Sequence, residues 1–252
     1  MKTSTTRNNL LKLLLYVLIA AVFLIGWEII AISVSNEYFF PTLKSTFDAL
    51  IALAATGEFY TNIALALLRV ALGLAIGVGA GILLGTVSYL LPIAREFIAP
   101  LITVMKATPI AAIILILWFS MSDATLAIFV VFLMVTPIIW QNVYDGYRNI
   151  PEDLKEVAVA YEIPLFTKLK ILIIPSVAKY LIPAFITSIG LAWKAEIAAE
   201  IMTYSNIGKS INDFKTLTYD TASVYAWAVT IVIMSMILEG ITKRLLRRTL
   251  AA

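Results

Sequence analysis

Residues 156–175 read EVAVAYEIPLFTKLKILIIP, a charge-bearing insert between two strongly apolar stretches. Leu154, Val157, Ala158 and Tyr161 recur at i, i+3, i+4 and i+7, the spacing of one apolar helical stripe. Glu152, Asp153, Lys155, Glu156 and Glu162 decorate the rest of that surface. Pro151 suits a first helical turn, and the acids beside it favour a helix N-terminus. Pro164 then permits a bend and a fresh helix start. The stretch predicts a short amphipathic helix, a corner, and a second segment running back into apolar sequence. On one face of a membrane protein, such a knuckle docks into a soluble partner.

Composition supports the membrane setting. The chain has 252 residues, of which 61% are hydrophobic and only 14% charged, with a mean hydropathy of +0.94. A soluble domain is about a quarter charged, so this balance means a polytopic, all-α membrane protein. Cysteine and histidine are both absent. That removes disulfide and thiolate chemistry, together with the commonest general base and metal ligand. No metal site is expected. A net charge of +3, with the basic residues at membrane edges, is no nucleic-acid footprint.

Six apolar stretches are long enough for a span of about 20 residues. They are 13–34, 70–94, 97–119, 124–144, 171–202 and 221–238. The first is too long for a signal-peptide core and lacks a small-residue cleavage site, so it reads as an uncleaved span. Between the first two, residues 36–60 form a mixed segment in which 47–53 reads as an interfacial helix. In the second stretch Gly73, Gly77, Gly81 and Gly85 recur at every fourth residue. They share one helix face and permit close approach of another backbone. The third stretch, read as one span, holds Pro100, Lys106 and Pro109. Residues 203–220 read as a polar connection.

Charge bias sets the orientation. With six spans, the termini, the second-to-third connection and the 145–170 insert share a side. On it fall Lys2, Arg7, Lys12, Arg95, Arg148, Lys155, Lys168, Lys170, Lys179, Lys243, Arg244, Arg247 and Arg248. The other side holds Lys44, Lys209 and Lys215. The positive-inside rule therefore makes both termini and the insert cytoplasmic.

The insert resembles the EAA loop of ABC-importer permease subunits: Glu-Ala-Ala, three residues, Gly, nine residues, then Ile-x-Leu-Pro. Here Glu156, Val157 and Ala158 open the motif, and Leu172, Ile173, Ile174 and Pro175 close it. Glu162 stands where the family usually has glycine. The resemblance extends along the chain to the nitrate/sulfonate/taurine-type permeases, the binding-protein-dependent transport inner-membrane components. It is carried by Trp27-Glu28, Phe40-Pro41-Thr42, Leu68-Arg69-Val70, and Pro109 with the run to Trp118-Phe119. Ala192-Trp193, Ala199-Glu200 and Ile207-Gly208 continue it.

What the resemblance implies is a single permease domain over 1–252 with the type I ABC importer fold. It has six spans and a cytoplasmic coupling helix between spans four and five, within a loop of about 149–175. Such a permease sits in the bacterial inner membrane, pairs with a second copy of itself and with two ABC-type ATPase subunits, and receives solute from an external binding protein. It is no enzyme and holds no cofactor, since ATP is bound by the partner subunits. In keeping with that, the chain has no G-x-x-x-x-G-K-[ST] phosphate loop. The resemblance implies that Glu156, Val157, Ala158, Ala160, Tyr161 and Glu162 form the ATPase-coupling surface.

Ionisable groups within spans usually face a cavity or each other. Lys106, Lys194, Glu196 and Glu200 are such groups. With Pro109 and Trp193 they form the candidate translocation pathway, the lysines favouring an anionic solute. The alternative places the two glutamates at the external interface, with Lys194 snorkelling or pairing with another span. Arg69 and Glu28 read as structural pairs or interface anchors. The solute is expected to be a small nutrient such as a sulfonate, nitrate or a thiamine-precursor-like compound. A secondary transporter or channel would share the six spans but would not need the docking helix. A membrane enzyme would need a catalytic cluster, and none presents itself without His or Cys.

Overall fold

The structure is a computed structural model that describes the backbone of residues 2–250 and the side chains of residues 14–246. The side chains of Lys2, Arg7, Lys12, Arg247 and Arg248, which enter the charge-bias argument, lie outside the described residues. Every regular element among the described residues is helical. In chain order these are α1 (Lys2–Val34), α2 (Leu43–Ala54), α3 (Gly57–Leu90), α4 (Pro92–Ala107), α5 (Ile110–Leu117) and α6 (Asp123–Arg148). Then come α7 (Glu152–Ala160), α8 (Leu165–Lys168), a π-helical turn (Leu169–Ile173), α9 (Ile174–Thr203), α10 (Asn206–Thr216) and α11 (Thr221–Leu250). Among the described residues, five helical stretches are long and apolar enough to cross a membrane, or six when the bent pair α4–α5 is taken as one span.

That bent pair corrects the sequence reading. Residues 97–119 do not form one straight span: α4 and α5 meet at 94°. Thr108, just before Pro109, is extended (φ −77°, ψ 126°), the backbone that a following proline imposes. Pro109 then caps the start of α5. Pro100 and Pro137 lie inside α4 and α6 without ending them. The second span is also longer than expected, because α3 begins at Gly57 rather than Val70. Arg69 does not interrupt it, since its charge is met inside the protein. The polar connection 203–220 is largely helical. It contains α10, whose Ile207, Ile211 and Phe214 fall at i, i+4 and i+7.

The chain divides into two compact units. The larger comprises Thr61–Ser210 with the chain from Ile231 onward. Its centre is the seam of α3 on α6. A Cβ added at Gly73, Gly77 or Gly81 would lie 2.6, 3.0 or 2.6 Å from the Cβ of Val131, Val135 or Ile139. One added at Gly85 would meet Val143 Cβ at 2.9 Å. Both rows advance by four residues in the same direction, so the helices run parallel. The close backbone approach read from the glycine spacing is present. On another face α6 packs along α9, where Gly146 stands against Val177 with room for no Cβ: the added atom would meet Val177 Cα at 2.9 Å.

The smaller unit comprises the chain up to Tyr60 with Ile211–Thr230. Its knot is Trp27, Phe40 and Tyr225, whose ring centroids are each 5.4 Å apart. Trp27 Nε1 donates to the Pro41 carbonyl at 3.0 Å. The Glu28 carboxylate accepts from the backbone N–H of Leu43 at 2.9 Å, at the first residue of α2. Glu28 is thus a structural anchor, stabilising a helix N-terminus with its charge. Helix α2 covers the interfacial segment expected at 47–53.

Candidate functional site

The 156–175 segment folds as its sequence predicts. Glu152 and Asp153 occupy the first turn of α7 after Pro151, where acids complement the helix dipole. Glu152 also accepts from Lys155 Nζ at 3.0 Å, which raises the lysine's pKa above its ordinary value. The helix ends in a Schellman motif. Glu162 N–H donates to Val159 O at 3.0 Å and Ile163 N–H to Ala158 O at 3.1 Å. The motif needs a left-handed residue between them, and Glu162 supplies it with φ 47°. The position where the family usually has glycine is therefore a glycine-type backbone position here too. Pro164 then starts α8, and a π-helical turn carries the chain into α9.

Burial splits the apolar stripe in two. Ala158 turns inward, 6% exposed, and packs with Ile150 and Leu172, joined by Tyr147, Ile163 and Ile173. Its place in an outward-facing stripe is corrected: the methyl is buried beneath the corner. Leu154, Val157 and Tyr161 face outward. Val159, Leu165 and Phe166 join them, Tyr161 and Phe166 being 78% and 79% exposed. Glu156, Ala160 and Glu162 are exposed on the same segment. The sequence reading missed Leu165 and Phe166. Their signal was two large apolar residues directly after a helix-starting proline.

The intramembrane charges fall into two groups. Trp193, Glu196 and Glu200 lie on the buried face of α9, as their i, i+3, i+7 spacing implies. Trp193 Nε1 donates to Ile231 O at 3.0 Å. Glu200 receives Arg69 Nη1 at 2.7 Å on Oε1, Asn206 Nδ2 at 2.8 Å on the same oxygen, and the Ile207 N–H at 3.1 Å on Oε2. Glu196 Oε1 lies 4.0 Å from Arg69 Nη1. One carboxylate therefore ties α3, α9 and the start of α10 together. Arg69 acts as a structural partner, and Gly208 packs so tightly on the Glu200 carbonyl that no side chain fits there. Lys106, Pro109 and Lys194 stand apart on exposed surface. Among the described residues no group of His, Cys, Asp or Glu could hold a metal ion.

These features can be set beside known proteins. The family model for binding-protein-dependent transport system inner membrane components matches residues 73–251. The chain is similar to the putative aliphatic sulfonates transport permease protein SsuC of Bacillus subtilis, with 23% identity over 92% of this chain and 85% of that one. It is 32% identical to the nitrate import permease protein NrtB of Synechococcus elongatus over 56% of this chain and 51% of that one. In fold it resembles a chain of an amino acid ABC transporter crystallised with histidines. That match has a TM-score of 0.67 at 16% identity and covers 79% of this chain and 97% of that one. With the family model covering most of its length, the chain belongs to the family of binding-protein-dependent transport system inner membrane components.

Proposed function

We propose that this chain forms the solute pathway of an ATP-driven importer and couples it, through α7, to two ATPase subunits on the cytoplasmic side. The observation that carries the reading is the exposed apolar row Leu154, Val157, Tyr161, Leu165 and Phe166. It lies on a corner whose other side is anchored in the protein's own core by Ala158, Ile150 and Leu172. An exposed apolar patch rimmed by charge marks a protein-binding surface, and a rigidly seated one transmits force. Glu156 lies beside the row and would pair with a basic or amide group of the ATPase groove. Val157 and Tyr161 would fill that groove.

On this reading the permease acts as one domain with both termini cytoplasmic. It pairs with a second copy of itself, and an external binding protein delivers the solute. Hydrolysis and nucleotide binding belong to the ATPase subunits. The solute class is a small anion. Relatives described as sulfonate and nitrate permeases support it, as do the exposed Lys106 and Lys194.

Purification from the native membrane in mild detergent, with mass spectrometry of what accompanies the chain, tests the assembly. An ABC-type ATPase in equal amount is the expected result. Recovery of the chain alone, under conditions that keep other transporter complexes whole, would refute it. Within the recovered complex, Glu156→Arg is expected to leave membrane levels unchanged while lowering ATPase co-purification at least tenfold. Retention of the ATPase would remove α7 from the interface.

A further inference from the structure

Among the described residues Glu196 is a fully buried carboxylate, and neither of its oxygens has a hydrogen-bond partner. It sits inside a membrane-crossing helix, where an unsatisfied ionisable group is costly and marks function. A resident cation does not explain it. Only one other carboxylate is near, no metal-holding cluster forms among the described residues, and the Arg69 guanidinium 4.0 Å away would repel a cation. What stands within reach is Arg69 itself.

Arg69 Nη1 is engaged at 2.7 Å by Glu200. Glu196 and Glu200 are four residues apart, one helical turn on the same face of α9. A shift of about 1 Å would bring the guanidinium from 4.0 Å to charge-assisted bonding distance of Glu196. The guanidinium has five donors in a rigid plane, so the change needs only a small rotation. The two carboxylates differ in what else they hold. Glu200 carries the start of α10 through Asn206 Nδ2 and the Ile207 N–H, whereas Glu196 makes no hydrogen bond and has only the 4.0 Å approach of Arg69 and its neighbour Glu200.

We infer that Arg69 is a positioning residue with two seats. On Glu200 it completes the α3–α9–α10 junction, and on Glu196 it leaves the anchor of α10 without its countercharge. The empty acceptor is the second seat, kept buried and unbonded for the state in which α10 loosens. The inference concerns the junction alone and stands whether or not α7 binds an ATPase.

The test uses the full chain in membranes, and the absence of native cysteine makes disulfide trapping clean. Asn62 Nδ2 and Ser210 Oγ lie 3.1 Å apart beside the junction, so Asn62→Cys with Ser210→Cys reports the Glu200 seat. With copper–phenanthroline as oxidant, Glu196→Gln is expected to speed disulfide formation at least threefold, because Arg69 loses its other seat. Glu200→Gln is expected to slow it at least threefold. An unchanged rate in Glu196→Gln would overturn the inference, because a static Arg69–Glu200 pair is indifferent to that change.

A thermal cycle gives a second measure. Glu196→Gln is expected to lower the melting temperature by roughly 5 °C more in the Glu200→Gln background than in the parent, since only there is Glu196 the occupied seat. Equal shifts in both backgrounds would overturn it. If the double variant does not accumulate, Glu196→Asp in the Glu200→Gln background replaces it and is read against the same change in the parent. A greater loss in that background is expected, and equal losses refute the two seats.

Discussion

The seam between α3 and α6 makes a quantitative demand on Gly81. An alanine there would place its Cβ 2.6 Å from Ile139 Cβ and 3.0 Å from the Thr136 carbonyl oxygen. Carbon atoms pack best at about 3.5–4.0 Å. The helices must therefore part by about 1 Å, and the obstruction is a Cβ and a backbone carbonyl, neither of which can rotate away. Overpacking of this kind costs about 1–3 kcal/mol. A gap of that size also forfeits a quarter to a half of the dispersion energy of facing atoms. The control is two residues upstream. Gly79 has nothing within 4 Å of an added Cβ, so Gly79→Ala takes only the helix-propensity gain of about 1 kcal/mol. The two variants have the same chemistry and the same helix, and they differ only in the facing surface. At roughly 2–4 °C per kcal/mol for a domain of this size, the roughly 1–3 kcal/mol of overpacking is expected to make Gly81→Ala melt roughly 2–12 °C below Gly79→Ala. The assay is loss of the monodisperse gel-filtration peak after stepped heating in detergent. Equal melting of the two variants would refute the seam, because it would mean that α6 does not face Gly81.

Three further substitutions probe the other junctions. Glu162→Gly is expected to stabilise the corner by about 0.5–1 kcal/mol, since the left-handed conformation costs a non-glycine residue about 1–2 kcal/mol and glycine returns part of that as chain entropy; Glu162→Val is expected to destabilise it, and limited proteolysis within 159–166 reports both. Arg69→Met leaves Glu200 buried without its countercharge and is expected to cost about 3–5 kcal/mol, read as a fall in the amount of folded chain recovered. Trp27→Phe keeps the ring contacts but removes the 3.0 Å bond to the Pro41 carbonyl; a loss of about 1 kcal/mol is expected in the same heating assay.

Much of this was legible in the sequence because membrane helices announce themselves locally. Apolar length gave the spans. The four-residue glycine period gave the α3 seam, and Pro151, Pro164 and the stripe between them gave α7 and its corner. What was not legible depended on pairs distant in the chain. Arg69 ends no helix because Glu200, 131 residues away, meets its charge, so α3 ran longer than the apolar count suggested. Glu196, Glu200 and Trp193 read as one polar face, yet nothing local says whether such a face looks into a cavity or into the protein's own core. The break at Thr108–Pro109 had its signal in the proline, but Pro100 and Pro137 carry the same signal and do not break their helices. Helix α10 was hidden by its polar composition, although Ile207, Ile211 and Phe214 kept the helical period. Its start depends on Glu200, a residue outside it.

The build of the 149–175 corner seats a small helix firmly against its neighbours. Helix α7 has nine residues and little area of its own, so alone it would absorb a push by tilting. It cannot tilt freely, because Ile150 at the end of α6, Ala158 within α7 and Leu172 in the π-helical turn form one cluster. The Schellman bonds from Glu162 and Ile163 fix the exit of the chain as well. A force on Val157 or Tyr161 therefore reaches α6 and α9 together. Those two helices are themselves packed at backbone distance where Gly146 meets Val177. The path to α9 runs through the π-helical turn at Leu169–Ile173, a feature frequent at functional sites. The Glu200 junction sits at the far end of α9, almost thirty residues from that turn, so a small change of angle at Ile173 becomes a displacement of the order of ångströms where Arg69 chooses between its two carboxylates.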